Sequence, residues 1–243
     1  MIESAFFIDL HCHILPNIDD GAKSMDVSVA MARRYVEAGF GKVVATPHFI
    51  KGTAWASPPD TVVALVEQLQ HRLDSENIAL QVYVGMEIAD HPHLLDRVGQ
   101  GSLLSLAGSK AYLLEPSFQG SQHKLLINIK TLLERGYKVV LAHAERCPAF
   151  QKNMAQLLPL VDQGLHIQIN ASSLLEDADT LCKKTAMSLL ESDSVHYLAS
   201  DAHDLKHRSP PSRGDLEWLE MQLGRESLIR LWATNPAKLL TGE

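Results

Sequence analysis

Nine residues of the types that bind metal ions stand at the ends of short apolar runs, and their spacing is the first chemical signal in the chain. The stretch Ile8-Asp-Leu-His-Cys-His-Ile-Leu-Pro-Asn-Ile-Asp-Asp-Gly21 carries two of them, His11 and His13, two positions apart. Side chains of an extended segment alternate faces, which predicts both imidazoles on one side of a strand and Ile8, Leu10 and Cys12 on the other. Each neutral imidazole offers one lone pair, so a pair at i, i+2 can share one divalent cation. Asp19 and Asp20 on the following loop bring hard oxygen donors, and the loop chemistry allows either. Alone, His-x-His is as readily a chance pair on an exposed strand end. Other run ends reverse that reading: Thr46-Pro47-His48, Met86-Glu87, Glu115-Pro116, His143-Ala-Glu-Arg146 and Ser200-Asp201-Ala-His203.

Five imidazoles (His11, His13, His48, His143, His203) and four carboxylates (Asp20, Glu87, Glu115, Asp201) are too many for one tetrahedral ion. They fit a cluster. Three divalent ions would bring the formal charge from −7 to −1, and the carboxylates would no longer repel one another uncompensated. Mixed nitrogen and oxygen ligation without thiolate suits Mn²⁺, Fe²⁺ or Zn²⁺. Adjacent ions roughly 3.5–4 Å apart generate hydroxide at neutral pH and clamp the attacking and leaving oxygens of a phosphate ester. Arg146 and Arg208 follow His143 and His203 closely, and a guanidinium fork matches phosphate oxygens bidentately. Attack of metal-bound hydroxide on a phosphate held between ions and arginines is therefore the expected chemistry.

A scaffold must bring these positions together. Short β-branched or aromatic runs occur near 5–10, 42–45, 81–84, 111–114, 138–141, 165–169 and 196–199. Helical periodicity occupies 25–38, 58–76, 92–98, 122–135, 148–163, 177–191, 213–223 and 226–233, with Ser24 and Ser57 at N-cap positions. Alternation of this kind implies parallel strands, since parallel pairing needs a crossover. Seven repeats without a linker predict one domain, 1–243, built as an α/β barrel. A doubly wound open sheet has the same periodicity. The placement of polar residues at six of the seven strand ends favours the barrel, which gathers carboxyl ends onto one rim.

The set His11-x-His13, Asp20, His48, Glu87, Glu115, His143 and Asp201-x-His203 resembles the nine-ligand pattern of the polymerase-and-histidinol-phosphatase (PHP) superfamily. Ala-Thr-Pro-His, Gly-Met-Glu-Ile, Ala-His-Ala-Glu-Arg, Ser-Asp-Ala-His and the final Asn-Pro-Ala-Lys-Leu-Leu are similar to runs in the manganese-dependent protein-tyrosine phosphatases of bacterial capsule and exopolysaccharide gene clusters. The resemblance runs from about Asp9 to the C-terminus and implies a distorted (β/α)7 TIM-like barrel, the PHP fold. It also implies three divalent ions, Mn²⁺ foremost. His11, His13, Glu87 and Asp201 would hold one, Glu87, Glu115 and His143 a second, and Asp20, His48 and His203 a third. Asp20 is preferred to Asp19 on the family spacing alone. Arg146 and Arg208 would bind phosphate, and the substrate would be phosphotyrosine in a protein, a tyrosine autokinase controlling polysaccharide export.

Two other classes share this rim: a small-molecule phosphomonoesterase such as histidinol phosphatase, and a nuclease or non-catalytic barrel. The net charge of −7 and the lack of a Lys/Arg cluster count against nucleic acid. No run of about 18 apolar residues and no leader pattern appear, so neither membrane insertion nor a signal peptide is expected, and the context expected is cytoplasmic. Cys12, Cys147 and Cys182 are an odd number at irregular spacing and read as reduced thiols. None begins the C-x5-R loop of cysteine-dependent tyrosine phosphatases, because the residues six positions on are Ile18, Asn153 and Ser188. His91 and His93 open a helix, and His71, His166 and His196 lie away from the strand ends, so surface or core roles are expected for all five. His123 and His207 lie nearer the rim, and Asn170 is expected to hydrogen-bond there. Phe49, Trp55 and Phe118 are candidates to wall a phosphotyrosine slot.

Overall fold

The structure, a computed structural model, describes residues 7–241; the first two positions of the run near 5–10 lie outside them. Nine strands appear among the described residues: β1 (Phe7–Cys12), β2 (Phe40–Ala45), β3 (His48–Phe49), β4 (Gln81–Val84), β5 (Glu87–Ala89), β6 (Ala111–Glu115), β7 (Lys138–Leu141), β8 (Leu165–Asn170) and β9 (Val195–Ala199). Every ladder is parallel, in the orders β1-β2-β4 and β3-β5-β6-β7-β8-β9. They form seven staves, as expected, because two staves are each split in two. Thr46-Pro47 parts β2 from β3, and Gly85-Met86 parts β4 from β5. A Cβ at Gly85 would lie 2.8 Å from Val44 Cγ1 and 3.2 Å from Leu106 Cδ2, so only glycine lets this stave bend inward.

The circle is completed between β9 and β1 by a single parallel bridge, Cys12 with Ala202, rather than by a ladder. His13 N–H donates to the Ala202 carbonyl at 2.8 Å and Asp201 N–H to the His11 carbonyl at 2.9 Å. Below them the buried Asp9 carboxylate accepts from His11 N–H at 3.3 Å, Ser200 N–H at 3.1 Å and the Tyr35 hydroxyl at 2.7 Å. A side chain thus does part of the work of the missing ladder. These closing contacts exclude the open sheet.

Ile8, Leu10, Val44, Leu113, Val140 and Tyr197 fill the barrel, while Val43, Val139, Leu141 and Ile167 face the helical layer. Strands buried on both faces need the β-branched runs seen in the sequence. Burying each such aliphatic side chain contributes about 1.5–3 kcal/mol. The helices are α1 (Met25–Glu37), α2 (Pro59–Ser75), α3 (Leu94–Gly99), α4 (His123–Glu134), α5 (Pro148–Lys152), α6 (Leu158–Val161), α7 (Thr180–Glu191), α8 (Arg213–Leu223), α9 (Arg225–Ile229) and α10 (Asn235–Thr241). Ser24 caps α1 by accepting from Val27 N–H. At α2 the cap position falls to Pro58 rather than Ser57, with Pro59 opening the helix. The helix expected over 148–163 breaks into α5, a 3₁₀ turn and α6, since Pro159 has no N–H to donate and sits in the first turn of a new helix. Beyond α9 a π turn over Arg230–Thr234 continues directly into α10 and presents Trp232 to Phe7 and Phe40 at 6.1 and 5.1 Å.

At the amino end of the barrel, opposite the strand ends that carry ligand types, His166 and His196 stack at 4.5 Å. Tyr197 Oη lies 2.8 Å from His166 Nδ1. Burial, with His196 and Lys138 nearby, pushes the His166 imidazole down to about 4. The unfolded chain therefore binds the proton first, and stability is lost as pH falls from about 6.5 to about 4. In urea unfolding under chelating conditions, the parent should lose about 1–2 kcal/mol more than His166→Phe between pH 7.5 and pH 5. Equal losses in the two proteins would count against this assignment.

Candidate metal centre

All nine ligand-type residues converge on the carboxyl rim. His11 and His13 do not arrive there by simple alternation. The register of β1 on β2 slips between Asp9 and Cys12, so three steps of β1 face two of β2. This bulge sets Ile8 and Leu10 inside the barrel, on the His11 side, and leaves Cys12 in the helical-layer core. The expectation that Ile8 and Leu10 would share a face with Cys12 is thereby corrected. The pairing of the two histidines holds, with their Nε2 atoms 3.3 Å apart.

Glu87, at the inward bend of its stave, lies at the centre. Its Oε1 is 2.7 Å from His143 Nε2, and its Oε2 lies 3.3 Å from both His11 Nε2 and His13 Nε2 and 2.9 Å from His48 Nδ1. Asp201 Oδ1 is 3.4 Å from His11 Nε2 and 3.5 Å from His13 Nε2. Asp20 Oδ1 lies 3.4 Å from both His48 Nε2 and His203 Nε2. Glu115 Oε2 stands 3.7 Å from His48 Nδ1. Groups able to hold an ion are His13, Asp20, His48 with His203; His11, His13 with Asp201; His11, Glu87 with His143; and His48, Glu87 with Glu115. The first contains the whole of the expected Asp20, His48 and His203 set, and the second three of the four residues of the expected set that includes Asp201 and Glu87. The remaining expected set divides, because Glu87 turns one oxygen to His143 and the other toward His48, beside which Glu115 sits.

Two features fit these groups to cations. Buried atoms of six of the nine residues have no hydrogen-bond partner: Asp20 Oδ1, His48 Nδ1, Glu87 Oε2, His143 Nδ1, Asp201 Oδ1 and His203 Nε2. Orphaned buried polar atoms cost about 1–3 kcal/mol each, so six together mark a site built for something that satisfies them. The second feature is the tautomers. His13 Nδ1–H donates to Asp19 Oδ2 at 2.7 Å and His203 Nδ1–H to the Asp201 carbonyl at 2.8 Å, which turns each Nε2 inward.

Asp19 is a residue whose role the sequence left open. Its carboxylate also accepts from Gly21 N–H at 2.9 Å and His48 N–H at 3.0 Å, so it orients His13 while Asp20 faces the rim. A Cβ on Gly21 would lie 2.2 Å from the His13 carbonyl, so this turn admits only glycine. His143 and Asp201 take positive φ of 29° and 54°, backbone strain of the kind stored at functional sites.

Burial opposes charge on these groups, and on His11, His13 and Glu87 opposite charges outweigh it. His11 is held up at about 9 by Glu87 and Asp201 although burial pulls it down. Against burial, His13 is held well above its usual range by its bond to Asp19 and by the neighbouring Asp201 and Glu87 carboxylates. Burial would raise Glu87, but His11, His13 and His143 keep it well below the usual carboxylate range. Glu115 is raised, by burial first and by the Glu87 charge second.

Arg146 and Arg208 reach the rim from one side and share one oxygen, Asp201 Oδ2, at 2.9 and 2.7 Å. Each remains about a third exposed and lines a cavity of about 420 Å³ with Asn170, Ser172, Cys182 and His207. Asn170 Nδ2–H donates to Asp201 Oδ2 at 2.8 Å, as the sequence led us to expect of it. Phe118 stacks on His143 at 5.6 Å beneath the Arg146 guanidinium at 5.7 Å, and Trp55 stacks on His48 at 5.2 Å. Phe49 is instead buried, packed under Arg97 and beside His91, so it walls nothing. His123 is exposed at the start of α4, and His91 accepts from His93 N–H outside the cluster. Sequence reasoning passed over Gln168 and Glu145. Gln168 Oε1 lies 3.0 Å from His11 Nδ1, and the buried Glu145 carboxylate accepts from Asn170 N–H at 3.0 Å and Ser173 Oγ–H at 2.7 Å.

Residues 7–241 match the family described as capsular polysaccharide synthesis, CpsB/CapC. The chain belongs to this family. It is 35% identical to the tyrosine-protein phosphatase YwqE of Bacillus subtilis (strain 168) over 233 residues, 96% of this chain and 91% of that protein. It is 27% identical to the tyrosine-protein phosphatase CpsB of Streptococcus agalactiae over 238 residues, 96% of this chain and 98% of that one. A solved structure from work on YwqE of Bacillus subtilis and CpsB of Streptococcus pneumoniae, described as unique metal-dependent tyrosine phosphatases, superposes with a TM-score of 0.89 at 34% identity. That alignment covers 97% of this chain and 95% of the other. The CpsB/CapC membership accords with the barrel and with the clustering of His, Asp and Glu on its rim.

Divalent ions binding here must displace the protons that His11 and His13 carry. Calorimetric titration of metal-free protein with Mn²⁺ at pH 7, in buffers of different ionisation enthalpy, should show net proton release, with affinity rising as pH rises. Binding should also raise the melting temperature. Heat that is independent of the buffer would contradict the protonated state described here.

Proposed function

We propose that this chain is a metal-dependent protein-tyrosine phosphatase acting on phosphotyrosine in a protein, a tyrosine autokinase that governs capsular or exopolysaccharide synthesis. One observation carries this reading. Six residues with orphaned buried donor and acceptor atoms lie beside two partly exposed guanidinium groups. The CpsB/CapC relatives supply the substrate class, and their match along the chain favours it over a small-molecule phosphatase such as histidinol phosphatase. His11, His13, Asp20, His48, Glu87, Glu115, His143, Asp201 and His203 are the proposed ligands of three divalent ions, with Mn²⁺ preferred and Fe²⁺ or Zn²⁺ as alternatives. The chain is read as one PHP-type domain. Among the described residues no helix is long and apolar enough to cross a membrane. The free thiols Cys12, Cys147 and Cys182 support the reducing cytoplasm as its place.

Divalent ions held by these residues would supply Lewis acidity to the attacking water and to the departing oxygen. The remaining work falls to side chains of this chain. Arg146 and Arg208 hold the non-bridging phosphate oxygens, trading their shared contact with Asp201 Oδ2 for a bidentate grip on phosphate. Phe118 and Trp55, stacked on His143 and His48, present aromatic faces to the phenyl ring. A water oxygen bonds to phosphorus as the P–O bond to the ring oxygen breaks, releasing tyrosine and inorganic phosphate. No thiolate takes part. Burial lifts Cys12 well above the usual thiol range and also raises Cys147, while burial and Asp179 put Cys182 at about 11.

Arg146→Ala and Arg208→Ala should each lower turnover of a phosphotyrosine peptide by about 10²-fold, the scale of losing one preorganised donor to an oxyanion. Their metal content, measured on the same preparations, should equal the parent's. Parental turnover in either variant would remove that arginine from the phosphate site. Better turnover of histidinol phosphate than of the peptide by the parent would overturn the substrate assignment.

A further inference from the structure

β8 is the stave whose end carries no ligand-type residue, yet it places two fully buried amides, Gln168 and Asn170, under the rim. Their orientation is forced step by step. The backbone N–H of His143 can only donate, and it lies 3.2 Å from one end of the Gln168 amide, so that end is the oxygen. The same oxygen lies 3.0 Å from His11 Nδ1, which must therefore carry a proton and donate it. The Gln168 amide nitrogen then faces Asn170 at 2.8 Å and requires an acceptor, which fixes the Asn170 oxygen there. The Asn170 nitrogen is left to donate to Asp201 Oδ2 at 2.8 Å, and a carboxylate can only accept. Turning either amide over would set donor against donor or acceptor against acceptor between buried side chains.

The chain of bonds thus starts on His11 and ends on Asp201. It occupies His11 Nδ1 and Asp201 Oδ2, and the atoms it leaves free, His11 Nε2 and Asp201 Oδ1, face each other at 3.4 Å. We propose that Gln168 and Asn170 act together as the positioning element of the metal centre, fixing which nitrogen of His11 and which oxygen of Asp201 meet the ion. This rests on the reading of His11 and Asp201 as ligands. It assigns to the ligand-free stave the alignment of two ligands that belong to opposite lips of the barrel closure. Hydrogen-bond partners of metal-binding imidazoles typically change metal affinity by about 10- to 100-fold when removed.

The test is a Mn²⁺ competition titration against a chromogenic chelator on metal-free parent, Gln168→Leu, Asn170→Ala and the double variant, with far-ultraviolet circular dichroism to confirm folding. Each single variant should bind Mn²⁺ about 10- to 100-fold more weakly. The double variant should be no weaker than Gln168→Leu, because a relay cut once is already lost. If Gln168→Leu fails to fold, Gln168→Glu takes its place: its carboxylate still accepts from His11 and His143, but it turns the Asn170 nitrogen away from Asp201. Its loss should equal that of Asn170→Ala. Parental affinity in either single variant, or losses that add in the double, would overturn the relay. A parent that binds no Mn²⁺ overturns both this inference and the metal reading, and is told apart because the parent itself fails.

Discussion

Four carboxylates gathered on one rim, Glu87 and Asp201 among them fully buried, must be neutralised, and this requirement governs the rest of the structure. In a low-dielectric site an unpaired carboxylate either takes up a proton or finds a cation. Here Glu87 and Asp201 stay ionised, and His11 and His13 hold protons above their usual range to match them. The proton is the poorer partner. It leaves Glu87 Oε2 and Asp201 Oδ1 without a directed bond, whereas one divalent ion can satisfy several such atoms at once. The same demand explains why Arg146 and Arg208 both turn toward Asp201 Oδ2.

The fold answers this demand at its weakest line. The ladder runs through every neighbouring pair of staves except β9 and β1, where one bridge and the Asp9 carboxylate complete the barrel. His11 and His13 stand on one lip of that seam, Asp201 and His203 on the other. Ions held between the lips would join them, so ligand binding would add to the contacts that already close the barrel. Local irregularities serve the same end: the bulge in β1, the bend at Gly85, the close turn at Gly21 and the positive φ of His143 and Asp201 each aim a side chain that regular strand geometry would misdirect.

Much of this was legible in the sequence for a physical reason. Strand ends are marked by where β-branched runs stop, and in a parallel barrel those ends meet, so the rim residues could be gathered without coordinates. Residues that act through long-range hydrogen bonds left no local mark. Gln168 meets His11 across 157 positions and Asp9 meets Ser200 across 191, and no periodicity announces either contact. The division of labour between Asp19 and Asp20 needed the loop geometry, since both are the same residue type on one turn. The β1 bulge reversed the expected company of Ile8 and Leu10 because strand alternation assumes an unbroken register. Pro159 was the visible signal for the broken segment over 148–163, and the helical period around it obscured that signal.

If the nine rim side chains bind cations and the two arginines hold phosphate, both must be visible together on the rim. Anomalous diffraction from crystals grown with Mn²⁺ and phosphate tests this most directly. Three manganese peaks are expected, each bounded by side chains from among His11, His13, Asp20, His48, Glu87, Glu115, His143, Asp201 and His203, with phosphate oxygens facing Arg146 and Arg208. Absence of manganese from the rim, or ligation by Asp19 in place of Asp20, would contradict it.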